Sequence, residues 1–159
     1  MPLRVAHEHT LLEMEAKEQA MPKAQVEIRV PFADVDSTRR IHFTAMLRYM
    51  EVAEHQLMRE LDFPYTTSFP DVVFPRVHVS CDFRGAIHYD DLIDVEARVL
   101  QVGRSSWTVG FTARALQGAS PEGAIVAEGR MIIVAMDPQT ERARPLPEEL
   151  RSALHGTKG

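Results

Sequence analysis

The 159-residue sequence contains a single cysteine and lacks both long apolar runs and basic runs. The lone Cys81 excludes an intramolecular disulfide and a zinc site built from cysteines. No apolar run approaches the roughly 20 residues that a membrane-spanning helix requires. The 18 basic and 23 acidic residues form no basic cluster, so nucleic acid is not an expected partner. Near the N-terminus, acidic residues lie where a signal peptide would have its apolar stretch. A cytoplasmic location is therefore expected.

Hydrophobic residues make up 45% of the sequence, a fraction typical of one globular domain with a sizeable core. Residues 1–23 are interpreted as an N-terminal appendage and residues 24–159 as the domain. Cys81 lies in a strand-like segment, where alternation places it on one face with Val77, Val79 and Phe83. It is interpreted as a small buried apolar residue rather than a reactive thiol, because free cysteines are commonly buried.

Five segments have the alternating or continuous apolar pattern of β-strands. In chain order they are AQVEIRVPF, FPRVHVSCDFRG, DDLIDVEARVLQVG, SSWTVGFTARALQG and GAIVAEGRMIIVAMD. The connections between these strands include short turns, which predict antiparallel neighbours.

The segment after the first strand has apolar residues at helical spacing and predicts a helix from about Thr44, its N-cap, to Leu61. The apolar stripe of this helix consists of Phe43, Met46, Leu47, Met50, Ala53, Leu57 and Leu61. A helix of about five turns with a buried stripe needs a sheet packed against it. The predicted fold class is therefore α+β, with an antiparallel sheet of about five strands wrapped around one long central helix.

The link between the first strand and this helix, ADVDSTRRIH, is rich in charged residues. In it, Asp34 and Asp36 are followed by Arg39, Arg40 and His42. The link is either a solvated turn, since aspartate favours turns, or a functional site. For Asp34 a structural role is favoured, such as pairing with Arg40.

The segment RVPFADVDSTRRIHFTAMLRYMEVAEH resembles the opening of the hot-dog-fold acyl-CoA thioesterases of the 4-hydroxybenzoyl-CoA thioesterase type. In that family a strand ends in D-x-D-x-x-G-x-I/V, and the following helix carries Y/F/W-x-E-x-A. The matching positions here are Asp34, Asp36, Ile41, Tyr49, Glu51 and Ala53. The segment VSCDFRGAIHYDDLIDVEARVLQVGRSSWTV resembles the family's next stretch, so the likeness covers roughly residues 24–150.

The resemblance implies the hot-dog fold, with two subunits that join their sheets into a homodimer, often paired into a homotetramer, and active sites at the dimer interface. It implies hydrolysis of a CoA thioester without a metal or an organic cofactor. Asp36 matches the family's catalytic carboxylate, and the acidic helix residue that some relatives use corresponds to Glu51. Arg39 stands where the family usually has glycine, which can adopt positive φ, so the usual turn geometry is in doubt.

Thioester hydrolysis requires an oxygen nucleophile and a donor for the developing oxyanion. A carboxylate can attack the carbonyl carbon directly or act as a general base on water. Asp36 lies about eight residues before Thr44. One turn can therefore bring its carboxylate beside the unpaired N–H groups and the positive potential of the helix N-terminus.

Five further residues are candidates for substrate binding: Arg39, His42, Phe43, Arg84 and Arg104. The three arginines can place cations near the thioester or the CoA phosphates, although ordinary surface arginines are the alternative for Arg84 and Arg104. His42 can hydrogen-bond the substrate or orient water, or it is a packed turn histidine.

Two other functions fit parts of the pattern. A hot-dog dehydratase or hydratase pairs a histidine with a helix carboxylate, which His42 and Glu51 match only faintly. A non-catalytic acyl-CoA-binding module is the third hypothesis, supported by Arg39 at the glycine position. The acyl group is not specified, and the leaving group is CoA or an acyl carrier protein; the segment from Phe63 to Phe74 is expected to help select the acyl group.

Overall fold

Five strands form one antiparallel sheet, and a long helix packs across one of its faces. The computed structural model describes residues 10–17 and 20–157. The strands are β1 Lys23–Arg29, β2 Arg76–Phe83, β3 Leu92–Val102, β4 Ser106–Gln117 and β5 Ile125–Val134. The helices are α1 Phe43–Glu60, α2 Tyr65–Ser68 and α3 Glu148–Leu154, with a 3-10 turn at Phe32–Asp34. The predicted α+β fold class is confirmed.

The strand order in the sheet is β1-β3-β4-β5-β2. The hairpins that join β3, β4 and β5 pair these strands as predicted, and they form the centre of the sheet. The expectation of neighbouring strands is wrong for β2 and β3, because β2 pairs with β5 and β1 pairs with β3. Strands β1 and β2 are therefore the two edges.

Helix α1 packs directly on the backbone of the central strands. A Cβ atom added to Gly129 would lie 2.6 Å from both the Met50 Cε atom and the Ser80 carbonyl oxygen. The predicted apolar stripe is largely buried, but Phe43 is 61% exposed. It is not a core residue because it is the first residue of the helix, where the side chain projects beyond the sheet.

The outer strand β2 departs from the predicted burial. Val77, Val79 and Phe83 are 61%, 43% and 49% exposed, and Cys81 is only half-buried. Since β2 is an edge strand, α1 covers only part of this face, and the expectation that Cys81 is fully buried is wrong. Burial still raises the pKa of the Cys81 thiol, which disfavours the reactive thiolate.

A fully buried carboxylate holds the connector between α1 and β2. The Glu54 side chain is 0% exposed, and Arg76 Nη2 donates to its two oxygens over 2.8 and 2.6 Å. The Tyr65 hydroxyl donates to the same carboxylate, and the Arg76 guanidinium lies 5.0 Å from the centre of the Tyr65 ring. Tyr65 and Arg76 lie near opposite ends of the connector, so Glu54 ties both ends to α1.

Residues 10–17 of the predicted appendage are helical, and their apolar residues Leu11, Leu12 and Met14 are exposed. The rest of the appendage up to residue 19, namely residues 1–9, 18 and 19, lies outside the described residues, as do residues 158 and 159. The division into appendage and domain stays a prediction. In the part of the chain that is described, no helix combines the length and apolar character needed to cross a bilayer.

Replacing Glu54 by glutamine is expected to lower the free energy of unfolding by about 3 kcal/mol, because it leaves Arg76 with an uncompensated charge in the interior. The measurement is urea denaturation. The control is Glu60→Gln on the exposed side of the same helix, where Glu60 accepts from Gln56 Nε2 over 2.9 Å and little change is expected. Equal stabilities of the two variants would contradict a structural role for the buried pair.

Candidate active site

The charged link folds into a short hairpin directly before α1. The Asp36 N–H donates to the Arg40 carbonyl over 3.0 Å, and the His42 N–H donates to the Asp34 carbonyl over 2.7 Å. An antiparallel bridge between Val35 and Ile41 lies between these bonds. Because facing residues share a side of a two-stranded ladder, Asp34, Asp36, Arg40 and His42 point to one face and Val35 and Ile41 to the other.

Arg39 closes the turn of this hairpin with φ 64°, in the left-handed region. Its N–H donates to the Asp36 carbonyl over 3.0 Å. The sequence left open whether the turn keeps its usual geometry with arginine at position 39. Arg39 adopts the left-handed conformation, which glycine would take without strain. The left-handed backbone costs a residue other than glycine about 1–2 kcal/mol. The Arg39 side chain is exposed at this turn.

The Asp36 carboxylate is oriented by Thr38. Both the Thr38 N–H and the Thr38 hydroxyl donate to Asp36 Oδ1, over 2.7 and 2.5 Å. These two hydrogen bonds lower the pKa of Asp36 below its ordinary value, with a smaller contribution from nearby His42. No partner of Asp36 Oδ2 is found among the described residues. One oxygen is therefore held and the other is free on an ionised carboxylate.

The N-cap of α1 is His42, not Thr44 as predicted. Its ring Nδ1 accepts from the Thr44 N–H over 3.3 Å, and the Ala45 N–H donates to the His42 carbonyl over 2.8 Å. Thr44 was the expected cap because threonine commonly serves this role, whereas an imidazole nitrogen does so less often. No partner of the Phe43 N–H is found in the described part of the chain, so this donor is free to bind a substrate oxygen.

Asp34 ties the hairpin to α1. Its Oδ2 accepts from the Tyr49 hydroxyl over 2.7 Å, and its Oδ1 pairs with the Arg48 guanidinium. The expected pairing with Arg40 is wrong: the two side chains share a face of the hairpin, but both oxygens of Asp34 bind Tyr49 and Arg48 of the helix instead. Burial, together with the bond to Asp34, raises the pKa of Tyr49, so its hydroxyl stays a donor.

Glu51 does not join Asp36 within one subunit. It is exposed and lies eight residues after Phe43, about 12 Å along the helix axis. Its charge adds to that of Glu54 in raising the pKa of Arg76, at the start of β2, against the effect of burial. The same separation keeps His42 from Glu51, so one subunit does not form the pair expected of a dehydratase.

The candidate arginines lie at opposite ends of the sheet. Arg84 directly follows β2, at the end near the hairpin, and it pairs with Glu128 over 2.5 Å. Arg104 lies in the turn between β3 and β4, where its carbonyl accepts from the Leu146 N–H. The structure therefore places Arg39, His42 and Phe43 in or directly after the hairpin that holds Asp36, with Arg84 at the same end of the sheet and Arg104 at the other.

Two residues of this site were missed from the sequence. Thr38 was overlooked although an aspartate two residues before a threonine is typical of a turn closed by the aspartate side chain. Arg48 gave no usable signal, since a surface arginine on a helix has many possible partners.

Two exposed aromatic rings, Phe32 and Tyr89, contact each other edge-to-face beside the hairpin, with ring centroids 5.6 Å apart.

Comparison with known proteins places the chain in a family. The thioesterase superfamily model matches residues 40–122, just over half of the chain. The 1,4-dihydroxy-2-naphthoyl-CoA hydrolase of Synechococcus elongatus is 25% identical over 131 residues, which cover 80% of this chain and 92% of that protein. The long-chain acyl-CoA thioesterase FadM of Escherichia coli is 24% identical over 131 residues, which cover 82% and 96%.

Solved structures show the same fold. The 1,4-dihydroxy-2-naphthoyl-CoA thioesterase of Synechocystis superposes with a TM-score of 0.75 at 19% identity, over 83% of this chain and 95% of that one. The BH1999 gentisyl-coenzyme A thioesterase does so with a TM-score of 0.71 at 21% identity, over 82% and 98%. The chain therefore belongs to the thioesterase superfamily, has the hot-dog fold, and is the thioester hydrolase that its sequence predicted.

Proposed function

We propose that Asp36 is the carboxylate with which this enzyme hydrolyses acyl-CoA thioesters to a free acid and CoA. The observation that carries the proposal is the geometry of its side chain. Thr38 holds one carboxylate oxygen, the other oxygen is free, and the unpaired Phe43 N–H lies at the adjacent helix N-terminus. The nucleophile, Asp36, is thus on the hairpin, and the oxyanion donor, the Phe43 N–H, is on the first residue of the helix that follows it.

The reaction can proceed by direct attack. Asp36 Oδ2 attacks the thioester carbonyl carbon, the Phe43 N–H binds the carbonyl oxygen as it becomes negative, and the C–S bond breaks to release the CoA thiolate. Water then hydrolyses the mixed anhydride. Alternatively, Asp36 takes a proton from water, and the water oxygen attacks. The lowered pKa keeps Asp36 ionised at neutral pH, as both routes require.

Substrate binding is assigned to the charged and aromatic residues that surround Asp36. Arg39 is exposed at the tip of the turn, where its guanidinium can reach the phosphates of CoA. Phe43 offers an exposed ring for the acyl group beside its own N–H. Arg84 lies at the same end of the sheet and is a second candidate for phosphate binding, whereas Arg104 would require a substrate that reaches the opposite end.

The partner that we propose is a second copy of this chain, joined along β2. This edge strand has unpaired backbone groups on its outer side, and its exposed valines and Phe83 continue the apolar surface beside α1. Such an edge is expected to be covered by another strand. Antiparallel pairing of two β2 strands about a two-fold axis would bury this stripe in both copies. The homotetramer and the cytoplasmic location stay predictions.

Replacing Asp36 by asparagine is expected to lower kcat at least 100-fold, the size of effect that follows loss of a positioned base or nucleophile. Thiol release from a panel of short, long and aryl acyl-CoAs measures this. Glu51→Gln is the matched control, and it is expected to keep most of the activity. If the loss instead followed Glu51→Gln, the helix carboxylate would be the catalytic group. A wild-type protein that released no thiol from any substrate would contradict the proposed reaction itself.

Replacing Thr38 by valine removes the hydroxyl donor to Asp36 and is expected to raise the pKa of Asp36 toward its ordinary value. Since the reaction needs the ionised carboxylate, activity is lost as the pH falls through this pKa. The acid limb of the kcat/KM profile should therefore move to higher pH in Thr38→Val. An unchanged acid limb would show that another group controls it. Thr66→Val, an exposed threonine in α2, is the control.

Replacing Val79 by lysine is expected to convert a dimer into a monomer, because it places a charge in the centre of the exposed stripe on β2. Sedimentation velocity at micromolar concentration measures the change. Leu100→Lys is the matched control, since Leu100 is also 43% exposed but lies on β3, away from this edge. Dissociation by Leu100→Lys alone, or a monomeric wild type, would refute pairing along β2.

A further inference from the structure

The hydrogen bonds around the His42 ring determine which of its nitrogens carries the proton. Thr44 N–H can only donate, and it points to Nδ1 at 3.3 Å. The Thr44 hydroxyl also lies 2.7 Å from Nδ1, and it accepts from Arg48 Nη1 over 3.4 Å. This leaves the hydroxyl proton for Nδ1. The Thr44 N–H needs an acceptor at Nδ1, and the Thr44 hydroxyl is able to donate to the same nitrogen, so Nδ1 is assigned as the unprotonated nitrogen.

The neutral ring with its proton on Nε2 is the form that satisfies these contacts. The imidazole caps the N-terminus of α1, and an imidazolium, which carries a proton on Nδ1, cannot accept from the Thr44 N–H. The result is an exposed ring that presents an Nε2–H donor.

This donor lies on the same side of the hairpin as the free Asp36 oxygen. Asp36 faces Arg40 in the ladder, and His42 is two residues beyond Arg40. The two side chains are thus diagonal neighbours, with Cβ atoms somewhat less than about 7–8 Å apart. A thioester carbonyl group that enters between Asp36 and the imidazole would contact both.

We propose that His42 is a second catalytic residue, a neutral imidazole whose Nε2–H donates to the carbonyl oxygen of the bound thioester. This role rests on the proposed function of Asp36 and extends it. The Phe43 N–H and the His42 Nε2–H together receive the negative charge that develops on the oxygen when the carbonyl carbon is attacked. Thr44 is a positioning residue, because it keeps the proton off Nδ1 and so fixes it on Nε2.

Two substitutions separate this role from simple helix capping. Asparagine at position 42 supplies an oxygen near the place of Nδ1 and is among the best N-caps, but it has no atom at the place of Nε2. Glutamine reaches the place of Nε2 with its amide N–H and caps poorly. Catalysis by Nε2–H therefore predicts that His42→Asn lowers kcat about 100-fold with KM and melting temperature nearly unchanged. His42→Gln is expected to keep more activity than His42→Asn despite a lower melting temperature.

Capping alone predicts the reverse order, with His42→Asn fully active and His42→Gln impaired in step with its stability. That result would overturn the proposal. His42→Ala, which loses both functions, shows the combined effect in the same assays. Asp36→Asn is measured beside these variants, so that failure of the proposed carboxylate is recognised separately from failure of His42.

The tautomer is measured without any assay of activity. Two-bond proton–nitrogen correlation spectra of the imidazole ring are expected to show His42 protonated on Nε2 in the wild type at pH 7. In Thr44→Val, which removes the hydroxyl but keeps the shape and the backbone N–H donor, a fraction of the Nδ1–H form is expected to appear beside the Nε2–H form. A wild-type His42 protonated on Nδ1, or a charged ring, would overturn the proposal even if Asp36 proved to be the catalytic carboxylate.

Discussion

The attachment of the charged hairpin to α1 through Asp34 is the constraint on which the candidate site depends. This carboxylate accepts from the Tyr49 hydroxyl and pairs with Arg48, two residues of the second helical turn. Its own carbonyl accepts the His42 N–H. The hairpin therefore cannot shift along the helix without breaking a buried hydrogen bond. Because the hairpin is held, Asp36 and the helix N-terminus keep a constant geometry that suits a reaction at a carbonyl group.

Four carboxylates near α1 have different roles because their surroundings differ. Both carboxylate oxygens of Asp34 are bound by donors, Arg48 and Tyr49, whereas Asp36 keeps one free oxygen at the surface. Glu54 is buried against Arg76 and Tyr65 at the other end of the helix, where it holds the connector to β2. Glu51 is exposed beside the uncovered edge of the sheet. The carboxylate proposed to be reactive, Asp36, thus lies close to carboxylates that have a structural role.

Much of the fold was predictable because its signals are local. Alternating or continuous apolar patterns identified all five strands, and helical spacing identified α1 to within one residue at each end. The incorrect expectations concern the position and the pairing of strands that are far apart in the sequence. Nothing in the sequence distinguishes an edge strand from a central one when both alternate, so the exposure of Val77 and Phe83 was not predicted. The pairing of β2 with β5 depends on how the loop after Phe83 crosses the sheet, which turn lengths alone do not specify.

At the site, the sequence by itself determined which residues lie next to one another on one short link: two aspartates, a turn, a histidine and the start of a helix. Local chain stiffness makes that proximity unavoidable, and the motif resemblance pointed to Asp36. Only the tertiary structure decided which side chain does what. Packing of the hairpin on α1 gave Asp34 the partners Tyr49 and Arg48 instead of Arg40, and His42 rather than Thr44 caps the helix. These choices depend on hydrogen bonds whose partners meet only after the hairpin packs on the helix, so no local pattern in the sequence records them.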